Sequence, residues 1–390
     1  MTPPRSRSKR PLKILVAPNA LKESLSATDA VEAISRGILK IMPDARILRI
    51  PIADGGDGTL EAVVAGTKGK IYRAKVLDPL GNRITAEYGI TGDGKTAIIE
   101  MSRASGLALV PSAKRNPMRT TSYGTGELIS AALERGVQSV LLGIGGSATV
   151  DGGIGALQAL GVSLTDKRDL PVSFGGEGLL ALSHIDLSEL DPRLRQVRVL
   201  VACDVDNPLI GPKGSAAVFG PQKGATPAMV KKLDKALSKL ARCIHKLTGD
   251  DVARLPGAGA AGGIAGSFKG LLGAQLRPGS DLVFDLLGIK SVLPKVDLVI
   301  TGEGRIDFQT PFGKGPGMLA KLAQKHRIPV IGIAGAVAEP VDGLFRRGFT
   351  ALLSIVNCPM DLTLAMRNAA SLTQFTAEQV ARLLLTGRGL

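Results

Sequence analysis

The stretch VDLVITGEGRIDFQTPFGKG, residues 296–315, decides how the chain is read. Leu298, Val299 and Ile300 form an apolar run typical of a buried strand. Gly302-Glu303-Gly304-Arg305 then interrupts it, with Asp307 and Lys314 close behind. Charges at the end of a buried strand are costly unless they are partnered. In open parallel sheets the loops at the carboxyl ends of strands are also where ligands sit. Beyond this loop the pattern is a helix (GMLAKLAQKHR), a strand (IPVIGIAGAV), a helix (VDGLFRRG) and a strand (TALLSIVN). A long amphipathic helix over residues 363–385 follows.

The start of the chain has the same alternation. LKILVAP (residues 12–18) is a strand, and a helix capped by Ser26 or Thr28 runs to about Met42. ARILRIPIADGGDGT (residues 45–59) is a second strand ending in a Gly/Asp turn, and TLEAVVAGT starts another helix. Between the two ends the character changes. Residues 71–102 are short alternating strands with turn signals at DPLGN and TGDGK, as in an antiparallel meander. Helical and apolar strand segments then return at residues 126–135, 139–146 and 197–209. The expected fold is α/β: a parallel-sheet domain of flavodoxin or Rossmann type built from both termini, residues 11–70 plus 294–390. A second α/β domain, residues 71–293, is inserted, and the active site is expected in the cleft between the two.

Composition narrows the function. The 390 residues carry no Trp, three Tyr and nine Phe, too few aromatics for a base-stacking surface. Part of the net charge of +15 lies in MTPPRSRSKR (residues 1–10), which reads as a disordered basic tail. The remainder suits an anionic small substrate. Three scattered cysteines, without CxxC or Cys/His pairs, support neither a zinc site nor a disulfide framework and fit a reducing cytoplasm. No apolar stretch is long enough for a membrane span, so no membrane partner is expected, and the scarcity of aromatics argues against a nucleic-acid partner.

Five apolar strands end in polar, mostly Gly-rich loops: APNALKES, ADGGDG, GIGGSATVDGG, ACDVDNP and TGEGRID. Glycines let backbone N–H groups approach an anion, and the carboxylates Asp54, Asp57, Asp151, Asp204, Asp206, Glu303 and Asp307 lie in these loops or beside them. That combination points to a phosphate held with Mg²⁺. GIGGSA and GAGAAG match the spacing of a dinucleotide loop, but GAGAAG follows no strand and GIGGSA lacks the later acidic residue. There is no Walker A loop, and the three histidines lie outside these loops, so a Ser-His-Asp triad is unsupported. An NAD(P)-dependent oxidoreductase using GIGGSA and a basic nucleic-acid-binding protein stay open as alternatives.

The stretches APNALKESLSATDAVEAI, PIADGGDGT, TSYGTGELI, GIGGSATVDGG, ACDVDNPLIG, FGPQKGA, PGAGAAGG, VITGEGRID and GIAG resemble, in order, the type 1 bacterial glycerate kinase family. The resemblance runs from about Lys13 to about residue 385. It implies phosphorylation of D-glycerate by ATP with Mg²⁺, in bacteria usually at the 2-hydroxyl, by a two-domain enzyme without a P-loop. Asn19 stands where the family often has Asp, which moves the expected base to Asp204 or Asp307. From loop position and charge, Lys22 is expected to neutralise a phosphate or the glycerate carboxylate, with Arg305 and Lys314 behind it. Ser24, Gly145, Gly146, Ser147, Gly257 and Gly259 are expected to bind substrate or phosphate, and Asp54, Asp151 and Glu303 to hold Mg²⁺. A monomer or homodimer is expected.

Overall fold

The computed structural model describes residues 10–389 apart from 22, 309 and 311–314. The expected sites at Lys22 and Lys314, and the tail before residue 10, lie outside the described residues. Strands β1 (Lys13–Val16) and β2 (Arg46–Arg49) come first. Then follow β3 (Lys70–Leu77), β4 (Arg83–Ile90), β5 (Thr96–Glu100), β6 (Ser139–Gly143), β7 (Ser163–Thr165), β8 (His184–Asp186), β9 (Arg198–Ala202) and β10 (Gln275–Arg277). The last three are β11 (Leu298–Ile306), β12 (Val330–Val337) and β13 (Ala351–Ser354). The chain divides into two compact units. One comprises the segments up to Ala53 and from Phe284 onward; the other is Asp54–Val283.

The first unit is a parallel sheet in the order β13-β12-β11-β1-β2. Helix Ala27–Ile41 buries Val31, Ile34 and Ile38 in the core with Ile14, Val16 and Ile300. Its start is fixed by Ser26, whose Oγ accepts from the Asp29 N–H (3.1 Å). Ser26→Ala is expected to cost about 1 kcal/mol, read as a lower urea midpoint with an unchanged m-value. Helix Ala369–Gly389 packs along the same helix. Gly37 permits this approach, since a Cβ there would lie 2.3 Å from the Gln374 carbonyl oxygen. Lys40 and Glu378 pair nearby at 2.9 Å. The single helix expected over 363–385 is two, Leu362–Arg367 and Ala369–Gly389, separated at Asn368.

The sheet also corrects the reading of the opening stretch. β11 does not break at Gly302 but continues to Ile306, pairing Glu303 with Ala334 and Arg305 with Ala336. The reason is β12, which runs alongside for its whole length and supplies ladder partners past the charged residues. Gly302 lies so close to β12 that a Cβ would sit 1.8 Å from the Ile333 oxygen.

The second unit has a six-stranded sheet, β10-β9-β6-β5-β4-β3. β10, β9, β6 and β5 pair in parallel, and β4 and β3 complete it antiparallel. The expected meander is thus the edge of a mixed sheet, and β7 and β8 form a separate antiparallel ribbon. Helix Pro227–Thr248 is capped by Thr226 and ended by Gly249 in the left-handed region, and it buries Leu233, Leu237, Leu240 and Ile244. Helix Thr59–Thr67, expected in the first domain, belongs here. It packs on β4 and β5, and a Cβ on Gly89 would lie 2.4 Å from Val64 Cγ2. Its apolar residues have this second sheet to cover, which moves the boundary from residue 70 to Asp54 and the return from residue 294 to Phe284.

Candidate active site

Four parallel strands of the second unit, β5, β6, β9 and β10, deliver their carboxyl ends to one edge. The ADGGDG loop joins them there through glycine packing. Gly55 has φ +88, and a Cβ on it would lie 2.7 Å from Ala202 Cβ and 2.8 Å from Gly279 Cα. A Cβ on Gly143 would lie 2.7 Å from the Gly55 oxygen. Close approach of backbones is what these glycines provide. Arg103 fixes the neighbourhood by pairing with Glu61, Glu87 and Glu100, while the Leu60 N–H donates to Glu100 Oε1 (3.0 Å).

Carboxylates gather at this edge. The Gly279 N–H donates to Asp204 Oδ1 at 3.0 Å. Asp204 as a residue stays solvent-accessible, but its carboxyl group lies against neighbouring protein. Desolvation pushes its pKa above the usual carboxylate range; the charges of Asp54 and Asp281 add to that, against the Gly279 hydrogen bond. Asp57 accepts from Ser102 Oγ at 3.0 Å. Asp281, in the first turn of helix Gly279–Leu286, and Ser102 are partners that sequence reading missed. The signal for Asp281 was PGSD before an apolar run, a helix start, hidden because β10 is only three residues long.

The GIGGSA segment follows β6 as a turn, with Gly145 and Gly146 exposed and Gly146 at φ +68. The next helix starts only at Ile154, so no helix N-terminus opens at this turn as a dinucleotide loop requires. The N–H groups of Gly145 and Gly146 donate to no described residue. The turn is tied down by Leu107 N–H to the Gly146 oxygen (2.7 Å) and by Ala148 N–H to the Ser105 oxygen (2.9 Å). Successive amides on a turn are an arrangement that can bind an anion. Gly145 also lies against the ADGGDG loop, its Cβ position 3.6 Å from Gly56 Cα.

Three expected binding residues have other tasks in this geometry. Asp151 is 0% exposed, and its oxygens accept from Ser122 N–H (2.9 Å), Ser122 Oγ (2.7 Å) and Gly153 N–H (3.0 Å). With no surface to offer, it organises the loop from within and is not placed to reach a metal. Gly257 and Gly259 are buried, and the Gly259 N–H donates to the Asn207 oxygen (3.0 Å). A Cβ on Gly259 would lie 2.2 Å from the Pro208 oxygen, and one on Gly257 3.0 Å from Cys203 Sγ. Both glycines pack against the ACDVDNP loop, and the Gly259 amide is spent there.

In the first unit, the loop after β1 is laced to the end of β11. Asn19 N–H donates to the Gly302 oxygen (2.8 Å) and Thr301 Oγ1 to the Ala17 oxygen (2.7 Å). Asn19 Oδ1 accepts from the Ala20 N–H, and Ser24 Oγ donates to the Leu21 oxygen within a local turn. Glu303, 8% exposed, accepts from Thr310 Oγ1 at 2.9 Å, and that oxygen accepts from the Asp307 N–H. Arg305 is exposed and lies 3.4 Å from Asp307 Oδ2. Among the described residues, no group of three His, Cys, Asp or Glu side chains is arranged to hold a metal ion. No helix among them is long and apolar enough to cross a membrane.

Comparison with known proteins decides the family. A model described as "Glycerate kinase family" matches residues 14–385. The chain belongs to the glycerate kinase family. Glycerate kinase of Haemophilus influenzae is 48% identical over 96% of this chain and 99% of that protein. Glycerate 2-kinase of Escherichia coli K12 is 49% identical over 92% of this chain and 94% of its own length. A crystal structure from Salmonella typhimurium LT2, of a protein provisionally named glycerate kinase 2, superposes with TM-score 0.91 at 48% identity. It covers 97% of this chain and 100% of that one. Membership makes this chain a kinase and sets aside the oxidoreductase and nucleic-acid readings.

Proposed function

We propose that the protein transfers the γ-phosphoryl group of ATP to the 2-hydroxyl of D-glycerate. The observation that carries the site reading is Asp204, held by the Gly279 amide beside Asp54 and Asp281, at the edge where the Gly145–Gly146 turn exposes its amides. Phosphoryl transfer asks mainly for positioning and charge neutralisation. Asp204 accepts the substrate hydroxyl proton, a role its raised pKa suits because a base works best with a pKa near the working pH. The Gly145 and Gly146 amides and the Ser147 hydroxyl cradle phosphate oxygens. Asp54, with Asp281 close by, would hold Mg²⁺, and phosphate oxygens and water would complete the shell, as Mg²⁺ commonly requires. Bound there, Mg²⁺ would neutralise the β- and γ-phosphates. Lys22, Arg305 and Lys314 are retained as candidate partners of the glycerate carboxylate. Glu303, Asp307 and Ser24 are retained as polar residues near them in sequence.

The test is direct. Purified protein with ATP, Mg²⁺ and carbon-13-labelled D-glycerate should release ADP and give 2-phosphoglycerate by carbon-13 and phosphorus-31 NMR. No glycerate-dependent ADP would overturn the activity; a product phosphorylated on the 3-hydroxyl would overturn the choice of hydroxyl alone.

A further inference from the structure

We propose that Lys223 is the positioning residue of the glycine turn, holding Ser147 from beneath through one of its lone pairs and leaving the hydroxyl hydrogen to be donated to a bound phosphate. This rests on the reading of that turn as a phosphate cradle. Lys223 is delivered by the short helical turn Pro221–Lys223, which ends at Gly224 with φ +92. Gly224 is pressed against the Arg115 oxygen, 2.3 Å from its Cβ position. The side chain is 2% exposed, and its Nζ donates to Ser147 Oγ (2.8 Å) and to the Thr149 oxygen (2.7 Å). Both acceptors belong to the segment that carries Gly145 and Gly146.

The chemistry of the two groups sets the direction of the bond. An ammonium has three donors and no acceptor, whereas a hydroxyl has one hydrogen and two lone pairs. Ser147 Oγ must therefore accept from Lys223, and no described residue accepts the Ser147 hydrogen. That hydrogen is available to a ligand, beside the Gly145 and Gly146 amides, which donate to no described residue. A neutral amine keeps two N–H donors but gains a lone pair, which can compete with a ligand for the Ser147 hydrogen.

A buried ammonium is costly, and replacing a buried charge with an apolar side chain of similar volume is often neutral or stabilising. Its presence beneath an otherwise simple turn thus points to function. Burial lowers the Lys223 pKa to about 7, opposed by the charge of Asp151. Asp151 is itself held by Ser122 and Gly153. Below about pH 7 the group can only donate, and as pH rises the amine becomes able to compete for the Ser147 hydrogen. On its alkaline side kcat/KM should therefore fall along a limb set by Lys223. Bound phosphate favours the ammonium, so the alkaline limb of kcat should lie higher than that of kcat/KM.

Full-length wild type, Lys223→Met and Ser147→Ala decide the matter, assayed with ATP and D-glycerate from about pH 5.5 to about 9. Hydrogen exchange of segment 140–150 is followed in parallel. Lys223→Met is expected to lower kcat/KM for ATP by about 30- to 100-fold, mainly through KM, to abolish the alkaline limb and to speed exchange in that segment. Ser147→Ala removes the hydroxyl itself and leaves Lys223 its bond to the Thr149 oxygen, so the same limb should flatten. Either variant retaining both the limb and wild-type KM for ATP overturns the proposal, and Ser147→Ala decides alone if Lys223→Met fails to fold. If wild type shows no glycerate-dependent activity, the kinase reading of the site falls. Exchange then judges Lys223 by itself: unchanged exchange in Lys223→Met overturns the anchoring role.

Discussion

Replacing Asp204 with asparagine is expected to lower kcat by about a thousandfold while leaving KM for D-glycerate within about threefold. Asparagine keeps the size of the side chain, and its carbonyl oxygen can still accept from the Gly279 N–H that holds Oδ1 at 3.0 Å. What it loses is the ability to take a proton. The substitution therefore separates chemistry from binding. Relief of repulsion with Asp54 and Asp281 should make the variant at least as stable as wild type. A variant with wild-type kcat would remove Asp204 from the reaction and leave the base to be found elsewhere.

Gly279→Ala should lower kcat/KM by about a hundredfold, the effect expected from misplacing a reacting group by roughly 1 Å. A methyl group at this position would lie 2.1 Å from the Asp54 oxygen and 2.8 Å from Gly55 Cα. Those are backbone atoms, so the loops must part. The Gly279 amide that holds Asp204 and the loop that carries Asp54 would separate together. Overpacking of this kind costs about 1–3 kcal/mol, whereas an ordinary Gly→Ala change inside a helix gains up to about 1 kcal/mol. A more stable, fully active variant would show that the loops tolerate the spacing, and would end the argument that their contact sets the site.

The larger architecture was legible because apolar periodicity is local. Parallel-sheet segments at both ends of the chain, with a different pattern between them, gave the discontinuous first unit. The boundary at residue 70 was wrong because TLEAVVAGT has no strongly one-sided pattern. Which sheet Leu60 and Val64 cover is a tertiary fact. The break read at Gly302 failed for a related reason, since glycine and charge signal a loop only when no long neighbouring strand offers hydrogen bonds. Asp54 and Asp204, which the proposed site uses, were read from their places at strand ends. Asp151 could not be told apart from them, because its burial depends on Ser122, far away in sequence. Gly257 and Gly259 looked like anion loops because close backbone packing and phosphate binding ask for the same residue.

The place of β1 between β11 and β2 has a consequence for synthesis. The Lys13 N–H is matched by an oxygen of Asp297, 284 residues further on. A ribosome therefore releases the first strand and its helix long before their partners exist. The second unit is continuous and has all its strands once Arg277 has emerged, so it can complete its core while the earlier segment waits. A chain stopped just before β11 should yield one protease-resistant body covering Asp54–Val283, preceded by some fifty cleavable residues. The last unit to become native would be the one that contains the first residues made.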